Sequence, residues 1–327
     1  MKKKRVVVTD CTFPSLDRER VAAEQHHAVL ETFQCRSEEE VVRAVSGADV
    51  AVVQFAPLTR TGLRGMAPGS AAIRYGIGFD NIDIAAAKEL QIAVGYVPDY
   101  CVDEVADHTA AMVLASLRKL LQLDRSVREG KWSVTATAGP LKPLRETTIG
   151  FLGLGRIGHA VLARLHPFGF RFAVTDPAMN STQAEELGIE LVELDRLLQI
   201  VDVLSLHAPA TAETTHFLNG QSLSRMKPNA IIVNTARGKL IDEHALANAL
   251  NRGTIGGAAL DVFETEPLPE QSPLRYAPNL ILTPHAAWYS EAAIVRLQSL
   301  VAEDIGRVLS GQSPRCPVPY HDASKRA

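Results

Sequence analysis

The sequence predicts an α/β protein of two domains, each of them a parallel sheet flanked by helices. Short apolar segments alternate with helical patterns along nearly the whole chain, and such alternation favours a parallel sheet covered by helices. A glycine-rich turn between a strand and a helix stands near the middle, at residues 153–158. The length of 327 residues accommodates two domains of ordinary size.

The composition is that of a globular protein that binds neither nucleic acid nor a membrane. Apolar residues make up 46% and charged residues 22% of the chain, and the formal net charge of −3 offers no basic surface for nucleic acid. No apolar run has the length of a signal-peptide core or a membrane span. The four cysteines form no C-x-x-C pair and the histidines no metal-ligand pattern, so we expect reduced thiols, a cytoplasmic location and no metal.

The first hundred residues alternate predicted strands, at 5–9, 29–33, 50–54, 73–74 and 92–94, with predicted helices, at 17–25, 38–45, 60–66 and 82–89. The turn after the first strand lacks glycine, so this half is expected to have a nucleotide-domain fold without a nucleotide site. Gly76 and Gly78 follow the fourth strand directly. Their loop is interpreted as a set of bare N–H groups that hold a carboxylate, with a plain turn as the alternative.

Residues 148–160 meet the conditions for a dinucleotide site. An apolar strand is followed by G-x-G-x-x-G at Gly153, Gly155 and Gly158, and a helix begins at about Ile157. The glycines allow the tight turn, the approach of backbone to the pyrophosphate and the packing of helix on strand, while the helix start offers N–H groups to the anion.

A second strand, at 170–175, ends in Asp176, about 20 residues beyond the glycines. A carboxylate at that position binds the ribose hydroxyls and repels the additional phosphate of NADP, so the predicted cofactor is NAD.

The strands that follow are predicted at 191–192, 203–206, 231–234, 258–260 and 280–282. Ligands of an open parallel sheet bind beyond the carboxyl ends of its strands. Segments that contain His207, Arg237, Asp261 and His285 are therefore expected to meet at the edge that carries the glycine loop.

Three residue types at this edge suit hydride transfer to a 2-keto acid. Histidine, at His285, exchanges a proton near neutral pH, and the planar fork of Arg237 binds a carboxylate and polarises a carbonyl. A carboxylate beside His285 favours the imidazolium. Spacing leaves open whether Glu264 or Glu266 supplies it. Each residue alone could have an ordinary role instead: His285 as a structural histidine, Arg237 in a surface ion pair and the glutamate as a solvated acid.

Four segments of the sequence, at 153–158, 234–243, 258–262 and 283–285, resemble the D-isomer-specific 2-hydroxyacid dehydrogenases. Residues 75–83 and 283–291 are in addition similar to the C-terminal-binding-protein branch of that family. The resemblance implies a Rossmann nucleotide domain, a flavodoxin-like substrate domain and a homodimer built through the nucleotide domains.

The resemblance also implies roles for individual residues. Arg237 would bind substrate, and Glu266, not Glu264, would pair with His285 as the acid/base. Arg74 and Trp288 match positions that line the substrate pocket, and Ile77 is implied to contact the cofactor. Gly76, Ile77 and Gly78 form the loop already expected to bind the substrate carboxylate. Cofactor contacts are implied at Val105, Gly153, Gly155, Arg156, Ile157, Gly158, Asp176, His207, Ala208, Pro209, Thr214, Thr235, Ala236 and Asp261.

Together these observations favour an NAD-dependent oxidoreductase of a small D-2-hydroxy acid or 2-keto acid. Its substrate domain is predicted over 1–101 and 291–327 and its NAD-binding domain over 102–290. A long helix at 102–121 is predicted to connect the two domains. It is followed by an irregular segment at 125–143, in which Trp132 is expected to be buried. The alternative is an NAD(H)-sensing dimeric protein of the corepressor kind. Arg74 and Trp288 favour a substrate with an aromatic or thioether side chain.

Overall fold

The chain forms two compact units in a computed structural model that describes residues 3–319. Unit 1 consists of Met1–Tyr100 and Ser290–Ala327, and unit 2 of Cys101–Tyr289. Each unit contains a parallel sheet flanked by helices, which confirms the predicted fold class. Residues 320–327, at the end of the predicted substrate domain, lie outside the described residues.

Unit 1 has a five-stranded parallel sheet in the order β2-β1-β3-β4-β5, which is the flavodoxin-like order. The strands are β1 Arg5–Val8, β2 Val29–Thr32, β3 Val50–Val53, β4 Ala71–Arg74 and β5 Ala93–Gly95. The helices are α1 Asp17–Gln25, α2 Glu38–Val45, α3 Arg60–Gly65, α4 Ile84–Glu89 and, from the C-terminal part of the chain, α13 Glu291–Leu309.

The burial of the central strand β3 shows that this sheet is covered on both faces. All four of its residues are fully buried, as expected of a parallel strand that consists of consecutive apolar residues. Helix α13 packs against α1 and the sheet, and begins at Ser290, whose hydroxyl accepts a hydrogen bond of 2.9 Å from the amide of Ala293.

Unit 2 has a seven-stranded parallel sheet in the order β12-β11-β10-β9-β6-β7-β8. Strand order reverses between β6 and β9, which is the switch point of a Rossmann sheet with one additional strand. The strands are β6 Thr148–Leu152, β7 Arg171–Thr175, β8 Glu190–Leu191, β9 Val203–Leu206, β10 Ile231–Asn234, β11 Gly257–Leu260 and β12 Leu280–Leu282. The helices are α5 Val102–Leu117, α6 Leu120–Arg128, α7 Val134–Ala138, α8 Arg156–Leu165, α9 Ser181–Glu186, α10 Leu194–Ile200, α11 Gly220–Leu223 and α12 Glu243–Arg252.

The segment between α5 and β6 differs from its prediction. The single helix predicted over 102–121 ends at Leu117, and Lys119, in the left-handed region at φ 54°, begins a separate helix α6. The stretch 125–143, predicted as irregular, contains the end of α6 and all of α7. Trp132 is 90% exposed within the chain, so the prediction that it is buried was wrong. No described helix is long and apolar enough to cross a membrane.

Candidate active site

The carboxyl ends of several unit 2 strands stay adjacent because backbone pairing continues one residue beyond β6, β9, β11 and β12. The amides of Gly153, His207 and Asp261 donate to Thr175, Leu152 and Asn234 at 2.9 Å each, and the amide of Thr283 donates to Leu260 at 3.0 Å. Loops from β6, β7, β9, β10, β11 and β12 therefore leave the sheet side by side.

The glycine loop has the shape that a bound pyrophosphate requires. Gly153 has φ +78°, and a Cβ there would lie 3.2 Å from the backbone of His207 and Ala208. A Cβ on Gly158 would lie 3.3 Å from the carbonyl oxygen of Gly153, whereas one on Gly155 would meet no atom within 4 Å. Two glycines are thus needed for packing, and the third leaves backbone open to a ligand at the start of α8, where Arg156 and Ile157 form the first turn.

Asp176 stands at the end of β7 against this loop. Its Oδ2 accepts a hydrogen bond of 2.7 Å from the amide of Leu154, inside the glycine motif, and its Oδ1 accepts one of 2.8 Å from Ala178. The carboxylate is therefore held at the rim of the loop, where ribose hydroxyls of a dinucleotide would bind. The residues present fit NAD.

His207 supports the same loop from β9. Its Nε2 lies 2.8 Å from the Ser205 hydroxyl and its ring packs on Phe151. Burial lowers the pKa of His207 to about 4, so the ring is neutral at physiological pH. Beyond Ala208, the hydroxyl of Thr214 donates to the carbonyl of Pro209 at 2.6 Å and closes the loop.

The structure brings His285 and Glu266 together. Nδ1 of His285 lies 2.7 Å from Oε2 of Glu266, and Oε1 of Glu266 accepts a hydrogen bond of 2.9 Å from the amide of Phe263. Burial raises the pKa of Glu266, but the hydrogen bond and charge of His285 outweigh it, so that this pKa lies below its ordinary value. Glu264 instead lies 3.0 Å from Nε2 of His216.

Arg237 is placed by its neighbours in the loop after β10. The side chain of buried Asn234 donates to the Arg237 carbonyl at 2.8 Å and accepts from the Ala236 amide at 3.0 Å. A Cβ on Gly238 would lie 1.9 Å from the carbonyl carbon of Phe263, so only glycine permits this approach to the Glu266 loop. The positive charge of Arg237 contributes to the lowered pKa of Glu266.

Asp261 is fully buried and holds the loop that contains His285. Its Oδ1 accepts hydrogen bonds from the Thr283 hydroxyl and from the Ala286 amide, the latter at 2.8 Å, and its Oδ2 accepts one of 2.9 Å from Ala287. His285 has φ +51°, an uncommon conformation for a residue other than glycine, and its amide donates to the carbonyl of Asp261 at 2.7 Å.

Comparison with known proteins identifies this arrangement. The model of the D-isomer specific 2-hydroxyacid dehydrogenase, NAD binding domain, matches residues 110–287. The chain is 41% identical over 245 residues to the glyoxylate reductase of Korarchaeum cryptofilum (strain OPF8), which covers 74% of this chain and 73% of that protein. It is 37% identical over 284 residues to the glyoxylate reductase of Thermofilum pendens (strain DSM 2475 / Hrk 5), with 85% and 83% covered. The chain belongs to the D-isomer-specific 2-hydroxyacid dehydrogenase family.

A solved structure agrees with this assignment. The D-lactate dehydrogenase from Aquifex aeolicus, in complex with NAD and lactic acid, superposes with a TM-score of 0.84 at 29% identity, over 94% of this chain and 96% of that one. This protein is therefore an NAD-dependent oxidoreductase of the 2-hydroxyacid dehydrogenase class, and unit 2 contains its Rossmann NAD-binding domain.

In this dehydrogenase, helix α5 contributes residues that were not predicted as part of the site. The hydroxyl of Thr109 lies 2.7 Å from that of Thr235, and Nε2 of His108 lies 3.1 Å from the Thr283 hydroxyl. Val105, predicted to contact cofactor, is buried one turn earlier, and its carbonyl accepts a hydrogen bond of 2.7 Å from Thr109. No sequence motif marks Thr109, because helical spacing alone does not say which strand end it faces.

Unit 1 contains the second glycine loop of the dehydrogenase, at 76–78. The amide of Gly76 donates to the Arg74 carbonyl at 2.9 Å, and the Gly76 carbonyl accepts from Val97 at 3.0 Å. Gly76 is thus occupied by its own turn, while within the described residues the amides of Ile77 and Gly78 donate to no other backbone group. The Arg74 guanidinium packs against Gly76 and lies 5.9 Å from the centre of the Phe55 ring.

The remaining predicted site residue is Trp288, in unit 2. It is half-buried and packs edge-on against Tyr289 at 5.8 Å. No group of three or more His, Cys, Asp or Glu residues among residues 3–319 could hold a metal ion.

Proposed function

We propose that this chain reduces small 2-keto acids, such as glyoxylate, to D-2-hydroxy acids with NADH, and catalyses the reverse oxidation. The observation that carries the proposal is the bond of 2.7 Å between Nδ1 of His285 and Oε2 of Glu266, at the strand ends of an NAD-binding domain. The identity of 41% and 37% to two glyoxylate reductases supports a small substrate.

His285 is the acid/base in this proposal. Because Glu266 binds Nδ1, the proton exchanged with the substrate oxygen is the one on Nε2. Glu266 orients the imidazole through Nδ1, and its lowered pKa keeps it ionised for that purpose. When bound, the nicotinamide supplies the hydride.

Arg237 and the loop at 76–78 bind the substrate. The guanidinium of Arg237 provides a permanent charge and a planar fork for the carboxylate and polarises the carbonyl. In unit 1, Ile77 and Gly78 offer amide donors for a carboxylate, and Gly76 forms the turn that precedes them. Arg74, in unit 1, and Trp288, in unit 2, are each proposed as substrate-binding residues.

The glycine loop, together with Val105, His207–Thr214, Thr235, Ala236 and Asp261, holds the cofactor in this proposal. Asp176 makes NAD the preferred form, since its carboxylate would repel a phosphate on the ribose. The substrate domain is unit 1 and the NAD domain is unit 2.

We propose a homodimer formed by unit 2. The apolar side chains of Leu120, Leu121, Val127, Trp132 and Val134 are exposed on α6, α7 and the turn between them, and a second copy of the chain would cover them. The chain would elute at twice its mass of 35.4 kDa in size-exclusion chromatography with light scattering. Trp132→Asp would then elute as a monomer, and a monomeric wild type would contradict the dimer.

Membership of the C-terminal-binding-protein branch, which the similarity of residues 75–83 and 283–291 indicates, stays a prediction, as does the cytoplasmic location. A corepressor-like NAD(H) sensor receives no support from relatives named as reductases.

The test is a substrate panel with purified protein and NADH. Glyoxylate, pyruvate, phenylpyruvate and 4-methylthio-2-ketobutyrate cover small, aromatic and thioether side chains. We expect the highest kcat/KM with glyoxylate or pyruvate. Preference for the aromatic or thioether acid would support the prediction from Arg74 and Trp288 instead, and absence of turnover with every acid would contradict the proposed function.

A further inference from the structure

A buried acid lies beneath the substrate loop of unit 1 and has no role in the reaction as described above. Glu19, in α1, is fully buried, a rare environment for a glutamate. Its Oε1 accepts a hydrogen bond of 2.8 Å from the Tyr75 hydroxyl, and its Oε2 accepts one of 3.3 Å from Nε2 of Gln298, in α13. Burial raises the pKa of Glu19 above its ordinary value.

The three side chains form one network, which we call the Glu19 brace: Glu19, Tyr75 and Gln298. Nε2 of Gln298 also donates to the Ser15 carbonyl at 2.7 Å, which ties α13 to the start of α1. The ring of Phe13 packs edge-on against Tyr75 with 5.0 Å between ring centres. Tyr75 is 1% exposed, so its whole side chain is enclosed by these contacts.

Tyr75 is also the central residue of the turn that begins the substrate loop. The hydrogen bond from the Gly76 amide to the Arg74 carbonyl spans three residues and makes a γ-turn around Tyr75. The Tyr75 amide donates to Val53, in β3, at 2.8 Å. Backbone and side chain of this one residue are therefore both fixed, immediately before the amides of Ile77 and Gly78.

We propose that the Glu19 brace positions the loop at 76–78 for the substrate carboxylate, with Glu19, Tyr75 and Gln298 as positioning residues. The inference rests on the proposed function, in which Ile77 and Gly78 donate to that carboxylate. The brace fixes the position of the Tyr75 side chain in the core and thereby the direction of the Ile77 and Gly78 N–H groups.

Packing alone does not explain the brace. A phenylalanine at position 75 would fill almost the same volume, and an apolar residue at position 19 would avoid the cost of burying an acid. A hydrogen bond between the Tyr75 hydroxyl and the Glu19 carboxyl, in contrast, fixes the position of the Tyr75 side chain relative to α1.

The test compares Tyr75→Phe with wild type. We expect KM for glyoxylate, and the Ki for oxamate as a carboxylate analogue that is not reduced, to rise at least about fivefold, because the loss of one buried bond releases the loop. The value of kcat should stay within about twofold, and the Kd for NADH, measured by its fluorescence, should be unchanged.

Val41→Ala is the matched control. Val41 is fully buried in the α2 core of the same unit and has no contact with the brace, so this variant lowers the melting temperature without moving the loop. If Tyr75→Phe leaves KM and Ki at wild-type values, or if Val41→Ala raises them equally, the brace has no positioning role. If wild-type protein reduces no 2-keto acid, the proposed function fails, whereas oxamate binding in the presence of NADH still tests the loop.

Discussion

The two units differ in the residues that follow the first strand of their sheets. In unit 1, Asp10 follows β1 and fills the loop after β3: its Oδ2 accepts hydrogen bonds from the Phe55 and Ala56 amides, at 2.6 and 3.1 Å, and its Oδ1 accepts one of 3.1 Å from Gln54. In unit 2, glycines follow β6, and the backbone at Gly155 is open to a ligand.

This difference explains how two sheets of related topology have different ligands. In unit 1 the carboxylate of Asp10 already accepts hydrogen bonds from the amides of the loop after β3. In unit 2, Asp176 follows the neighbouring strand β7 and accepts a hydrogen bond from Leu154, while the backbone at Gly155 stays open. Within the described residues of unit 1, the amides of Ile77 and Gly78 donate to no other backbone group, so they remain as donors for the small anion of the proposed function.

The largest expected effect is the loss of kcat when His285, the proposed acid/base of unit 2, is replaced. His285→Ala should lower kcat by about a thousandfold, since it removes the acid/base, while the Kd for NADH stays within about threefold. Stopped-flow or steady-state reduction of glyoxylate and a fluorescence titration measure the two quantities. The exposed His244→Ala, on α12, is the control for loss of a histidine in the same unit. A joint loss of turnover and NADH binding would assign His285 a structural role instead.

A smaller effect tests whether Gly155 is open because a phosphate binds there. Gly155→Ala meets no protein atom, so the melting temperature should not change, but the added methyl group should weaken NADH binding by about tenfold. Gly220→Ala is a matched control, because that glycine also begins a helix and a Cβ there also meets no atom. Equal Kd values for NADH in both variants would place the cofactor phosphates elsewhere.

The two acids provide a paired test of the comparison itself. Asp176→Asn should narrow the preference for NAD over NADP by about tenfold, because the charge that repels a ribose phosphate is lost. Asp10→Asn should leave that ratio unchanged and instead lower the free energy of unfolding by about 1–3 kcal/mol, because amides of the loop after β3 lose an acceptor. Ratios of kcat/KM and urea unfolding distinguish them. If the two variants exchange these effects, the comparison is wrong.

Much of the fold was predictable because strands of a parallel sheet are rich in consecutive apolar residues. The buried strands β9 and β10 and the half-buried strand β12 have the predicted bounds, although Ser205 lies within β9 and Asn234 ends β10. The break between α5 and α6 was not predictable, since Lys119 adopts its left-handed conformation without a glycine or proline to mark it. The exposure of Trp132 was missed because a large apolar side chain does not indicate whether its own chain or a second one covers it.

The candidate site was predictable where it depends on strand ends and less so where it depends on packing. Glu264 and Glu266 differ by two positions in one loop, and spacing could not choose between them as the partner of His285. The contact forms at Glu266 because that loop lies directly on Gly238, a tertiary approach with no sequence pattern. Thr109 and His108 were missed for the same reason, as both reach the strand ends from a helix.

A further expected effect is a pH dependence of stability in unit 2. The pKa of His207 is about 4 in the fold and about 6.5 in an unfolded chain. Between these values the unfolded chain binds a proton that the native protein does not, so stability falls as the pH decreases from 6.5 to 4. From pH 7 to pH 5, this histidine accounts for a loss of about 2 kcal/mol.

His207→Asn should remove that contribution. The fall in melting temperature between pH 7 and pH 5 should be smaller in the variant by about 4–8 °C, as expected for a loss of about 2 kcal/mol in a unit of this size. Calorimetry at the two pH values measures it, with the exposed His244→Asn as control. If the difference in melting temperature between pH 7 and pH 5 is the same in the variant and in wild type, burial does not lower the pKa of His207. The assignment of a neutral His207 ring beside the glycine loop would then be wrong.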